Sequence, residues 1–233
     1  MQALRNKTVV LCMKGLEMGT GERLSVIAGE LLHPSCTVAV WLGPGHVQEF
    51  YRGIPNCMVI DSENEQVKRR LVQAFSSDLI RFYYGGDMIG NEVGAAAKNV
   101  VGIAAGFLDG VEMSSLKGAL MSRGTREVAR LIRAMGGNEL SAYGLCHLGD
   151  YEATVFSPYS HNRQFGESFI RGETYTDLAE GYYTVEALVL LGERYGVELP
   201  ICQAVHRVLY CGADPMQELR ALLDRNLTRE FGE

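Results

Sequence analysis

Apolar and polar positions change rhythm partway along the chain. In the first 85 residues, short β-type runs alternate with helical spacings. Lys7–Met13, Thr37–Leu42, Cys57–Ile60 and Leu79–Tyr84 are short runs of β-forming residues and predict strands. Between the first two, apolar Leu24, Ile27, Ala28, Leu31 and Leu32 recur with helical period inside Glu22–Leu32. His46–Tyr51 offers a short helix after the breaker Gly43-Pro44-Gly45. Ser62, with Glu65 three positions on, has the spacing of a capping box for a helix over Glu63–Phe75. Strands and helices in alternation predict an α/β layer.

Beyond Gly86 the period is helical throughout. Long segments fall at Gly90–Leu108, Ser115–Met135, Tyr182–Tyr195, Ile201–Tyr210 and Pro215–Leu223, with no convincing strand. The change of period places a boundary near 85–88. It predicts residues 1–85 as an α/β portion and 86–233 as an all-α domain.

Composition narrows the function classes. Hydrophobic residues are 47% of the 233, enough for a sizeable core. A net charge of -6 argues against nucleic acid as the partner, since duplex binding needs a basic excess. The six cysteines show no C-x-x-C spacing and no zinc-like cluster with histidine, so no metal is expected and the thiols read as reduced. The start, MQALRNKTVV, has no secretory apolar core, and the apolar stretch Val93–Leu108 is too short to span a bilayer. A cytoplasmic protein without membrane insertion is expected.

One segment carries candidate chemistry. GDMIGNEVGAAAKNVVGIAAGFLDG, residues 86–110, is a helix of small residues interrupted by Lys98-Asn99. Burying a lysine among glycine and alanine is costly unless it is paired or used. Desolvation and a nearby cation would lower its pKa and suit it to acid–base work. On pattern alone, a lysine that snorkels to the surface is an equal reading.

The segment resembles the D-x-x-G-x-E-x-x-G-A-x-K-N-V motif of NAD(P)-dependent glycerol-3-phosphate dehydrogenases. Further matches follow in colinear order. KGLE at 14–17 is similar to that family's lysine-glycine motif, and LGP at 42–44 to its S-G-P-S loop. SRGTREVARL at 122–131 resembles I-T-R-G-x-x-E-M, and GLCHLGDYEAT at 144–154 resembles G-L-A-G-L-G-D-L-x-x-T. SHNRQFG at 160–166 resembles S-R-N-R-x-x-G. AEGYYTVEAL at 179–188 and GVELPI at 196–201 complete the series.

The resemblance implies a Rossmann-like α/β portion followed by a helical domain of the 6-phosphogluconate-dehydrogenase type. It implies hydride transfer between glycerol 3-phosphate and NAD or NADP, giving dihydroxyacetone phosphate. In that reading Lys98 is the acid–base group, Lys14 a second lysine near the substrate, and Asp150 the aspartate that orients them. Gly43, Asn99, Thr154, Ser160, His161 and Asn162 fall on the substrate side. Val47, His161 and Glu180 fall on the cofactor side. Read alone, Asp150 also suits a helix cap and Lys14-Gly15 a strand-end turn. Likewise Asn162-Arg163 suits a solvated turn and Glu180-Gly181 a surface turn.

The sequence departs from the family pattern at several positions. His161 replaces an arginine, Gly45 a serine, and Ser115 and Lys117 replace an asparagine and an arginine. Cys146 and His147 stand where small residues are usual. No G-x-G-x-x-G follows a strand, and Gly15, Gly19 and Gly21 have the wrong spacing. The resemblance is therefore to an N-terminally truncated or divergent member, and the group that would choose NAD over NADP is unread. A half-sheet with an open edge predicts self-association or a covering N-terminal dinucleotide-binding segment. The alternative is a catalytically inactive or split-subunit relative that binds or assembles.

Overall fold

A computed structural model describes residues 4–225 and residue 230. Four strands, β1 (Thr8–Leu11), β2 (Thr37–Leu42), β3 (Asn56–Asp61) and β4 (Ile80–Tyr84), lie side by side in chain order. α1 (Leu24–Leu31), α2 (Val47–Tyr51) and α3 (Glu65–Phe75) occupy the connections. β1 pairs parallel with β2 and β3 parallel with β4, but β2 and β3 are antiparallel. Periodicity carries no information on strand direction, and this reversal was not readable from it.

Strand alternation sets the two faces of the sheet. Ala39 of β2, Ile60 of β3 and Phe82 of β4 pack with Leu71 and Val72 of α3, with Trp41 stacked edge-on to Phe82. Val40, Leu42 and Val59 point the other way, onto Met88, Ala95 and Cys146 of the helical part. α3 begins otherwise than the capping-box spacing predicts. Asn64, not Ser62, is the N-cap, and its side chain accepts from the Val67 amide at 3.0 Å. Ser62 is drawn away because its hydroxyl donates to the Val38 carbonyl at 2.7 Å.

The helical part is α4 (Met88–Gly110), α5 (Lys117–Ala134), α6 (His161–Arg171), α7 (Glu180–Tyr195), α8 (Pro200–Tyr210) and α9 (Pro215–Leu223). α4 runs through its middle and is buried along nearly its whole length. Residues of α4, α5, α7 and α8 form one apolar core that includes Val93, Ile132, Leu188 and Val205. Gly102, Gly106 and Gly110, spaced i, i+4, i+8, form the stripe on which α6 lies. A Cβ on Gly106 would stand 2.1 Å from the Arg163 carbonyl oxygen. α6 itself was missed in the sequence, because SHNRQFG is polar and gives little helical period.

Polar groups join the sheet to α4. The buried Asp61, at the end of β3, accepts from the Asp87 amide at 2.9 Å and from Asn91 Nδ2 at 2.8 Å. Glu92 reaches the start of α1. Its carboxylate accepts from the Ser25 amide (2.9 Å), the Ser25 hydroxyl (2.5 Å) and Arg23 Nη1 (2.7 Å). A buried carboxylate thus fills the positive end of α1.

Candidate active site

Lys14, in the loop after β1, is carried to the face of α4 that bears Lys98. Between them stands Asp150, on a 3-10 turn over Leu148–Asp150. Both ammonium groups reach the same oxygen: Lys14 Nζ is 2.7 Å and Lys98 Nζ 2.8 Å from Asp150 Oδ2. The carboxylate therefore acts in an ion-pair cluster, and no side-chain cap bond is made at this turn.

One turn of π-helix, Glu152–Phe156, follows. Such turns accompany functional sites because they re-aim side chains. Here Thr154 is aimed at α4. Lys98 Nζ donates to Thr154 Oγ1 at 2.7 Å, and the Thr154 hydroxyl donates in turn to the Asp150 carbonyl at 2.7 Å. Lys14 Nζ also approaches the Gly43 carbonyl oxygen at 3.4 Å, which brings the 42–44 loop to the cluster.

Two lysines on one carboxylate cannot be equally charged at low cost. For Lys98 burial is the largest influence and pulls the pKa down. Asp150 opposes it, Lys14 adds to it, and the result is about 8. Burial also pulls on Lys14, but the charge and hydrogen bond of Asp150 outweigh it and its pKa is raised. The pair thus holds one proton firmly and one that leaves near neutral pH. A proton-transfer group with a pKa near working pH can both take and give.

A second set lies beside it. Asn99 Nδ2 donates to Glu180 Oε2 at 2.9 Å, and the Gly181 amide donates to Asn162 Oδ1 at 2.8 Å. Asn162 is buried on α6 and Glu180 opens α7, so neither lies in a free surface turn. Ser160 caps α6, accepting from the Arg163 amide at 3.3 Å. Arg163 is committed elsewhere, to Asp109 at 2.9 Å and Glu167 at 2.7 Å. His161 is exposed, hydrogen-bonded to Tyr175 at 2.8 Å and 3.8 Å from Asp177. Val47 is 63% exposed. No hydrogen bond joins these last two to the lysine cluster among the described residues.

Two groups to which the sequence assigned no role, His147 and Tyr151, lie behind the cluster. Both are fully buried and hydrogen-bonded to each other at 2.7 Å. The signal was present: His147 stands for a small residue and Tyr151 for the leucine of G-L-A-G-L-G-D-L. A groove of about 1230 Å³ lies apart, between α5, α8 and α9, with none of the cluster residues in its lining. The described residues contain no group of histidine, cysteine and carboxylate side chains able to hold a metal. No helix among them is long and apolar enough to cross a membrane.

A mixed α/β layer seated on a helical body is an architecture shared by solved dehydrogenase structures. The structure of glycerol-3-phosphate dehydrogenase from Coxiella burnetii superimposes with a TM-score of 0.85 at 31% identity, over 94% of this chain and 69% of that one. The Plasmodium falciparum glycerol-3-phosphate dehydrogenase shares the fold, with a TM-score of 0.82 at 15% identity, over 95% of this chain and 66% of that one.

The chain belongs to the NAD-dependent glycerol-3-phosphate dehydrogenase family. The C-terminal model of that family matches residues 87–220 and the N-terminal model residues 1–68. Glycerol-3-phosphate dehydrogenase [NAD(P)+] of Thermus thermophilus is 40% identical over 228 residues, 95% of this chain and 70% of the relative. That of Thermotoga sp. (strain RQ2) is 37% identical over 226 residues, 94% of this chain and 69% of the relative.

Proposed function

We propose that the chain catalyses reversible hydride transfer between sn-glycerol 3-phosphate and NAD or NADP, giving dihydroxyacetone phosphate. The observation that carries this reading is the buried Lys98 amine, held by Asp150 and Thr154 with its pKa brought to about 8. The names of the relatives favour the dehydrogenase over a non-catalytic assembly protein.

The polar pair of Asn99 and Glu180 fits the reactive end of a nicotinamide dinucleotide, whose carboxamide needs one donor and one acceptor. The start of α1 does not fit its pyrophosphate. Glu92 already fills that helix end, and two anions would repel there. Nicotinamide supplies the hydride acceptor or donor when bound.

The chain's own residues handle the proton. In oxidation the neutral Lys98 amine takes the C2 hydroxyl proton as the C2 hydride departs. In reduction the ammonium returns a proton to the carbonyl oxygen. Asp150 and Thr154 hold the amine in place, and Lys14 keeps it ready to lose its proton while offering a positive charge to the phosphorylated substrate. Asn162 and Ser160 line the substrate side, with Gly43 from the loop. We assign Val47 to the cofactor side and His161 to the border of substrate and cofactor.

We assign residues 1–85 to the dinucleotide-binding portion and 86–233 to the catalytic domain. We further place the protein in the cytoplasm as a self-associating enzyme.

The test is oxidation of NADH or NADPH with dihydroxyacetone phosphate. Turnover is expected, with Lys98→Met reducing kcat by about 10²–10⁴, the range for loss of a general acid–base group. Absence of turnover with both cofactors would overturn the reading.

A further inference from the structure

Behind the lysine cluster, a second buried polar pair touches the helix that carries Lys98. His147 precedes the Asp150 turn, and the Asp150 amide donates to the His147 carbonyl at 3.0 Å. On its other side His147 Nδ1 lies 2.8 Å from the Gly94 carbonyl oxygen. A carbonyl only accepts, so Nδ1 carries the hydrogen. Burial drives the ring pKa down to about 4, so the ring is neutral and Nε2 accepts from the Tyr151 hydroxyl at 2.7 Å.

Gly94 lies one helical turn before Lys98, and its carbonyl is the i→i+4 acceptor of the Lys98 amide in a regular α-helix. Gly94 is bare at this point, and a Cβ there would sit 3.0 Å from His147 Cβ. The start of the His147 side chain therefore occupies the space a side chain at 94 would need, and the ring beyond it reaches the Gly94 carbonyl. It clamps the helical turn that bears Lys98 to the turn that bears Asp150. In the family motif these positions hold a small residue and a leucine, which can make neither bond.

We propose that His147 and Tyr151 form a positioning pair that fixes the Asp150 turn against α4 and keeps water from the back of Lys98. The proposal concerns the lysine site assigned above, and its acid–base role rests on that reading. Lys98 faces Lys14 from the β1–α1 loop, Asp150 from the 3-10 turn and Thr154 from the π-turn, and the ring of His147, just before that 3-10 turn, feels the Lys98 charge. Cys146 beside them is held protonated, its thiol pushed up to about 12 by burial.

The test compares His147→Gly and Tyr151→Phe with the unaltered chain, checking the fold of each by circular dichroism. Tyr151→Phe keeps the ring and removes only the hydroxyl, so it serves if the glycine variant fails to fold. Side-chain NMR of lysine, assigned through Lys98→Met, reads the Lys98 titration without turnover. An upward shift of at least half a pH unit is expected, because water admitted behind the amine relieves the burial that lowers its pKa. With dihydroxyacetone phosphate, kcat should fall about fivefold and KM change less than twofold.

A Lys98 midpoint unmoved in every folded variant would overturn the positioning role, whatever the turnover. A shifted midpoint in a chain whose unaltered form has no turnover would support the positioning role and overturn the dehydrogenase reading instead.

Discussion

Lys98 concentrates the chemistry of the site in one proton. Its pKa is lowered to about 8, so below that pH the amine is charged and above it neutral. Oxidation of the alcohol needs the neutral base. Its rate should rise with pH to a plateau beyond a midpoint near 8. Reduction needs the ammonium and should fall through the same midpoint, so initial rates in both directions across pH 6–10 should give crossing profiles. Profiles with no inflection between 7 and 9 would remove Lys98 from the proton path. The same sign governs stability. The unfolded chain holds this proton to about 10.4, so the folded state is penalised below pH 8 and gains as pH rises from 8 to 10. The sequence made Lys98 conspicuous through its glycine and alanine neighbours. It could not reveal that Lys14 and Lys98 share a single oxygen of Asp150, because positions 14, 98 and 150 meet only in three dimensions.

At the scale of elements, α4 decides where nearly everything else stands. Its glycine stripe lets α6 approach to backbone contact, and α6 carries Ser160, Asn162 and Arg163 with it. Gly106→Ala would set a methyl group against the backbone of Arg163 and Glu167, which cannot swing aside as a side-chain tip can. The expected cost is about 2–4 kcal/mol, at the upper end for overpacking, read as a lower midpoint of urea unfolding. Gly118→Ala, on α5 with open space at its Cβ, is the control and should leave the midpoint unchanged or raise it slightly, since alanine favours the helix. Long periodic helices such as α4, α5 and α7 were legible because burial imposes their period. α6 was not, because its closest contacts are made by glycine and by backbone, which leave no hydrophobic signature. The exchange of Ser62 for Asn64 as the cap of α3 has a related origin. A local spacing rule cannot know that the Ser62 hydroxyl is wanted by a neighbouring strand.

Across the whole molecule, polar contacts from α4 bind the sheet to the helical body. Asp61 holds the start of α4, and Glu92 holds the start of α1. Glu92→Gln keeps the shape and removes the charge. It leaves Arg23 without its anionic partner and turns an NH2 group, which cannot accept, toward a donor. It should cost about 1–3 kcal/mol in thermal unfolding, within the range for disturbing a buried charged hydrogen bond. An unchanged melting temperature would show that the Glu92 contacts add nothing to the junction beyond its apolar face and the Asp61 bonds. The alternation of strands and helices made the α/β layer and the helical body legible. The antiparallel turn between β2 and β3 was not, since direction is set by connection geometry and not by residue type.

Glu92 has one more consequence. A strand, a loop with three glycines and a helix follow one another at β1 and α1, the outline by which phosphate cradles are usually recognised. In this chain the cradle comes with a built-in occupant, a carboxylate tethered to the neighbouring helix and never free to diffuse away. Searches for nucleotide sites that rely on the outline alone would mistake a structural latch for a vacant receptor. The distinguishing mark is an acidic side chain 67 positions downstream of Ser25 in sequence and in hydrogen-bond contact in space.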